Sequence, residues 1–193
     1  MKMYYHGSPF FFDHFELTGA GEGTGIRFGY GVYLTEVETT AVHYSQPRNM
    51  ELTEKHYLYT VEIPELKEGT YLMSGLPVDE KIVAAVEDKL GVSAPEKVKA
   101  KGLEFRKWIG KVVTGITRPT LAEQKLAIEI AAANLLDSIG VYFNVWPYAQ
   151  TNPDGPKNVA VFNASRVHIV KVEEIEIERS RDNKWVLTSR KDV

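Results

Sequence analysis

The segment His56-Tyr57-Leu58-Tyr59-Thr60-Val61-Glu62-Ile63 stops at Pro64, and Tyr57, Tyr59, Val61 and Ile63 fall on one side of an extended chain. Period-two alternation marks a half-buried strand, and a proline cannot donate to a sheet ladder. The fold class turns on what flanks this strand. Upstream, residues 2–6 are aromatic-rich and end at Gly7, which predicts a short strand running into a turn. Four glycines within 19–25 predict a loop, and residues 27–33, with Gly29 and Gly31, predict a strand that something approaches closely. Residues 35–44 predict a helix, with Val37, Ala41 and Tyr44 at helix spacing and Glu36 and Glu38 near its positive end.

Downstream, three helical stretches follow. Residues 78–90 align Ile82, Val83, Val86 and Leu90 on one face and end at Gly91. Ser93 to Glu96 has capping-box spacing and opens a helix that Gly102 interrupts before Trp108, and Thr120 to Glu123 repeats the signature ahead of a run that ends at Gly140. These apolar stripes read as core packing. Strands resume at 141–145, 158–163 and 167–177, with a turn-rich connector at 148–157. Strands, a helical middle and strands again lack βαβ alternation, so the class is α+β.

The chain has 193 residues, which fits one domain over 1–193 with about the last fifteen residues peripheral. Its 44% hydrophobic and 25% charged residues are those of a globular protein and exclude a disordered or fibrous chain. No apolar run reaches the ~18–20 residues of a membrane helix, and the N-terminus turns polar too early for a signal peptide. A net charge of −3 leaves no basic excess to neutralise phosphates, which argues against nucleic acid as a partner. The absence of cysteine excludes disulfides, thiolate zinc and a cysteine nucleophile, and fits a reducing, cytoplasmic setting. His14, His43, His56 and His168 have no ligand-like spacing, so no metal is expected.

Three patches carry candidate chemistry: Tyr5-His6-Gly7-Ser8; Gly29-Tyr30-Gly31-Val32-Tyr33 with Tyr44 eleven residues on; and Lys157-Asn158-Val159-Ala160-Val161-Phe162-Asn163. Each alone is ordinary, since His-Gly at a strand end is commonly a structural turn and Asn a common turn residue. In this order, however, YYHGSP, FGYGVYLTE, YLYTVEIPE and PKNVAVFN resemble the ADP-ribosyltransferase fold. The resemblance is nearest to the ADP-ribosyltransferase-like domains of phage and conjugative-element polyvalent proteins, relatives of the diphtheria-toxin and poly(ADP-ribose) polymerase branch. It runs from Met3 to about Val170 and implies a split β-sandwich with a helical middle. By analogy the setting is bacterial or phage, on a mobile element, and the motif's start near Met1 implies a stand-alone protein.

The resemblance implies NAD as a substrate, opened at its nicotinamide–ribose bond through an oxocarbenium-like transition state, with no metal. His6 would bind the adenosine ribose, Gly7 would offer backbone N–H and C=O to the nicotinamide carboxamide, and Ser8 would add a hydroxyl. Tyr33 and Tyr44 would sandwich the nicotinamide ring, with Gly31 leaving room beneath it. The poly-ADP-ribosylating relatives carry a glutamate where this chain has Asn158. An amide can hydrogen-bond a ribose hydroxyl but cannot act as a general base, a loss of ~10²–10⁴ in rate. Polymer building is therefore not expected. Mono-ADP-ribosylation of a protein acceptor is, with help from the acceptor side chain or from an acid such as Asp154 or Glu22. Tyr148, Gln150, Thr151, Asn152 and Asp154 would form the rim that meets that acceptor. The alternatives are an NAD glycohydrolase and a catalytically silent module that binds NAD, ADP-ribose or a protein. Removal of an RNA phosphate with NAD as acceptor, known on a related fold, sits poorly with the acidic balance.

Overall fold

The computed structural model describes residues 2–17, 26–46 and 55–193. The elements run β1 (Tyr4–Ser8), β2 (Val32–Thr35), α1 (Glu38–Tyr44), β3 (His56–Glu62), β4 (Tyr71–Met73), α2 (Glu80–Leu90), α3 (Glu96–Lys99), α4 (Gly102–Thr114), α5 (Ala122–Ser138), β5 (Phe143–Ala149), β6 (Asn152–Val161), β7 (His168–Arg179) and β8 (Trp185–Asp192). The class is α+β, with the helical middle between two groups of strands. Among the described residues no helix is long and apolar enough to cross a membrane.

The strands form one sheet in the order β4-β5-β6-β2-β1-β3-β7-β8, antiparallel throughout except for the parallel β4–β5 pair. Its joints are unequal. β1 pairs β3 along all of Tyr4 to Ser8, and β2 pairs β6 from Val32 to Thr35. β1 and β2 share the single register pair Tyr5↔Thr35. The sheet is thus two four-stranded halves touching at one residue pair. Because side chains alternate faces along a strand and cross-strand partners share one, Tyr4, His6 and Ser8 lie on one face and Tyr5 and Gly7 on the other.

The His6 face buries Tyr4, Val32, Leu34, Tyr59, Val61, Phe143, Val145, Val159 and Val161 as a core, with Phe12 and Phe15 laid over it. On the Gly7 face α1 packs Ala41 and Val42 against Leu58 and Ile175. A separate core joins α2, α4 and α5 to Leu72, Val141 and Phe162 through Val86, Phe105, Ile109, Ala132, Ala133 and Leu136. Asp79 caps α2 by accepting from Lys81 N at 2.7 Å, and Gly91 ends it in the left-handed region (φ 68°) as its position predicts.

Several expected boundaries are displaced. The strand expected over 27–33 begins only at Val32, because Gly29 (φ 103°) closes a turn by donating its N–H to Ile26 O at 3.0 Å. Thr35 belongs to β2, and α1 starts at Glu38. Gly7 is not a turn residue but lies inside β1. No capping box forms at Ser93 to Glu96: α3 starts behind Pro95, and the Ala94 N–H donates to Glu87 Oε1 at 2.8 Å. At α5 it is Gln124, not Glu123, whose side chain accepts from Thr120 N (2.9 Å) and Leu121 N (3.2 Å). The expected connector at 148–157 is mostly strand, since β5 runs to Ala149 and β6 starts at Asn152. Strands β4 and β8 were not expected at all. The loop expected at 19–25, with Glu22, lies outside the described residues.

Candidate functional site

Where β2 leaves β1, the gap is bridged by a side chain. His6 Nδ1 stands 2.8 Å from the Tyr33 carbonyl oxygen. A carbonyl only accepts, so Nδ1 carries the proton and Nε2 of the neutral ring is left as an acceptor. The ring is walled edge-on by Phe15 at 5.2 Å, Phe12 at 6.1 Å and Tyr59 at 6.2 Å. Burial among these rings lowers its pKa from 6.5, opposed in part by the Tyr33 carbonyl, and the imidazole is neutral at pH 7.

Gly7 is fixed by sterics. A Cβ there would lie 1.8 Å from Ala41 O and 2.9 Å from Ser45 N, so the α1 backbone lies directly on it. Its polar groups are set by register. Of the two antiparallel hydrogen-bonding patterns that fit Tyr5↔Thr35, one needs the Glu36 amide to reach back to β1, and that amide donates to Lys157 O at 3.0 Å instead. Tyr5 and Thr35 therefore exchange the bonds. Backbone groups alternate between strand edges, so the next β1 residue to aim its N–H and C=O at that edge is Gly7, beyond the last pair with β2. A donor and an acceptor side by side suit a primary carboxamide.

Thr35 pairs Asn158, and Asn158 pairs Trp146; Tyr33 pairs Ala160. Tyr33, Thr35, Asn158 and Trp146 thus share the face of Gly7. The Tyr33 ring is locked, its hydroxyl donating to Gly29 O (2.9 Å) and accepting from Phe28 N (3.1 Å), and burial pushes its pKa up to about 12. Trp146 meets it edge-on at 5.7 Å and stacks on Phe28 at 4.1 Å. Asn144 holds that turn from beneath, donating to Phe28 O at 2.7 Å while accepting from Ser74 Oγ at 3.0 Å. Behind Gly29 lies the fully buried Arg106, bound to Glu129 at 2.7 Å; a Cβ on Gly29 would come 3.0 Å from its Nε.

The remaining expected residues are distributed as follows. Tyr44 is the last residue of α1, 42% exposed, with its ring against His43 at 5.2 Å. Gly31 lies against β6, where a Cβ would be 2.5 Å from Val161 O. Ser8 is buried and its hydroxyl accepts from Phe10 N at 3.0 Å, closing the turn after β1. Asp154 is exposed on β6, four residues before Asn158 and so about 13 Å along the strand. That is too far for it to stand in for a carboxylate at Asn158. The sequence reading gave no role to Phe28, although it opens the FGYGVYLTE segment, and passed over Trp146, a lone aromatic within β5. Glu36, read as an acid at a helix start, lies ahead of α1, its carboxylate accepting from Lys157 N at 3.1 Å. Comparison with family models, curated proteins and solved structures gave no match.

Proposed function

We propose that the chain is an ADP-ribosyltransferase-like domain that binds NAD at the β1–β2 gap and transfers one ADP-ribose to a protein acceptor. The observation that carries this reading is the pairing of His6 and Gly7 at the gap, with the ring of His6 tied to the Tyr33 carbonyl at 2.8 Å. His6 Nε2 accepts from a ribose hydroxyl, the Gly7 backbone takes the nicotinamide carboxamide, and the rigid Tyr33 ring offers one aromatic face to the nicotinamide. The single-pair joint between two four-stranded halves supports the split-sandwich reading. In the reaction the C1′–N bond breaks, nicotinamide leaves as a neutral molecule, and an acceptor atom bonds C1′. The acceptor's proton passes to solvent or is already absent. The chain's part is to hold both ends of the bond in line and to exclude water.

One observation favours a second reading, a silent module that binds NAD or ADP-ribose. Asn158 stands between Thr35 and Trp146, and neither neighbour supplies a carboxylate. The deciding experiment follows free nicotinamide by chromatography after incubation with NAD alone and with a bacterial lysate, beside His6→Ala. Release that is lost in the variant, with label on a lysate protein, is the expected result. Release without label makes the protein a glycohydrolase. NAD binding with no release establishes the silent module, and neither binding nor release sinks the NAD reading.

A further inference from the structure

We propose that Glu36 is a positioning residue that sets Asn158 in the cleft, an inference that rests on the reading of Asn158 as a cleft residue. Beyond Thr35↔Asn158, the pair Glu36 and Lys157 would continue the β2–β6 ladder by exchanging two backbone bonds. One is made, from Glu36 N to Lys157 O at 3.0 Å. The other is not made to the Glu36 carbonyl. The Lys157 N–H donates to Glu36 Oε2 at 3.1 Å, so a carboxylate oxygen takes the place of a main-chain one.

The substitution has a physical reason. The chain must leave the sheet at Glu36 to enter α1, and the Val37 N–H already turns back onto Thr35 Oγ1 at 3.1 Å. The glutamate stem spans the distance that the departing backbone opens. The carboxylate is also held from just ahead of β1, where Lys2 Nζ stands 2.8 Å from Oε1, and burial together with the nearby Glu36 charge raises the pKa of Tyr4 in β1. With a side chain only 8% exposed, one group ties the end of β2 to β6, the strands that carry Tyr33 and Asn158, and to Lys2 just ahead of the β1 strand of His6.

The test compares the wild type with Glu36→Asp, which keeps the charge but loses one methylene of reach, and Glu36→Gln, which keeps the reach and an accepting oxygen. Amide exchange at Lys157 and the side-chain amide resonance of Asn158 are read by NMR, with the Leu58 amide in β3 as the control for an intact sheet. Glu36→Asp is expected to speed exchange at Lys157 by about tenfold or more and to move the Asn158 resonance, with Leu58 unchanged. Glu36→Gln is expected to leave both near wild type. An unchanged Lys157 and Asn158 in a folded Glu36→Asp protein overturns the proposal. Should Leu58 lose protection in that variant, Lys2→Met, which removes the ion pair to Oε1, is read by the same two signals in the same way. Nicotinamide release is measured in parallel and is expected to fall in kcat with KM unchanged. A silent wild type counts against the NAD reading alone and leaves the exchange result to decide on Glu36.

Discussion

A neutral imidazole at the gap has a thermodynamic consequence. His6 binds a proton near pH 6.5 in the unfolded chain and only at lower pH in the folded one, because burial disfavours the cation. Its contribution to stability is therefore complete above pH 6.5 and is lost as the pH falls from there through its lowered value. His56 has the same sign, while the exposed His14, raised by Glu16 and Asp13, has the opposite one. Urea unfolding at pH 7.5 and 5.5 should show the wild type losing more stability on acidification than His6→Gln; equal losses would remove His6 as the cause. Asn158→Glu tests the proposed NAD reading at the other end of the gap. It places a carboxylate on the face of Tyr33, and nicotinamide release should rise; no change in a folded variant would argue that Asn158 is not at the reacting sugar. The sequence alone could single out His6, Gly7, Tyr33 and Asn158 as candidates, because their residue types fit one chemistry in one order. It could not single out Glu36, because the acid-before-helix pattern has an ordinary explanation in the helix dipole, and only the register shows its carboxylate replacing a carbonyl.

Among the helices, the most extensive joint is α4 on α5. A Cβ on Gly110 would lie 2.0 Å from Ile128 O, so the helices meet backbone to backbone, and Arg106 and Glu129 form their buried ion pair beside that contact. Removing one partner strands the other charge in the core. Glu129→Gln should lower unfolding free energy by about 3–5 kcal/mol, while replacing both residues with apolar ones of similar size should cost far less. Chemical denaturation of the single and double variants decides it, and equal losses would show that the carboxylate, not the stranded guanidinium, matters. Helices of this kind were readable from spacing, since Ile82, Val83 and Val86 are all buried in α2. The β5–β6 hairpin was not. Its Pro147, Pro153, Asp154, Gly155 and Pro156 have the composition of a loop, and strand structure is imposed by pairing across Trp146↔Asn158 and Pro147↔Lys157. Strand β8 escaped for a related reason: it lies at the sheet edge and is largely exposed, so it carries little apolar alternation.

At the scale of the molecule, one residue pair between β1 and β2 makes the middle of the sheet its least bonded joint. Native-state amide exchange should show Thr35, bonded to Tyr5, opening at lower free energy than Leu58 or Val159 in the halves on either side. Matching protection would mean that the halves behave as one plate. The same joint governs how the chain is put together on the ribosome. β1 and β3 have both been synthesised within the first third of the chain, but β2 waits for β6, and the Glu36 carboxylate waits for an amide 121 residues away. Until then β2 has no lasting partner. A nascent chain therefore carries an open strand edge for most of its translation, at about 5–20 residues per second. The joint beside His6 therefore takes its final form only when the last third of the chain folds back onto β2.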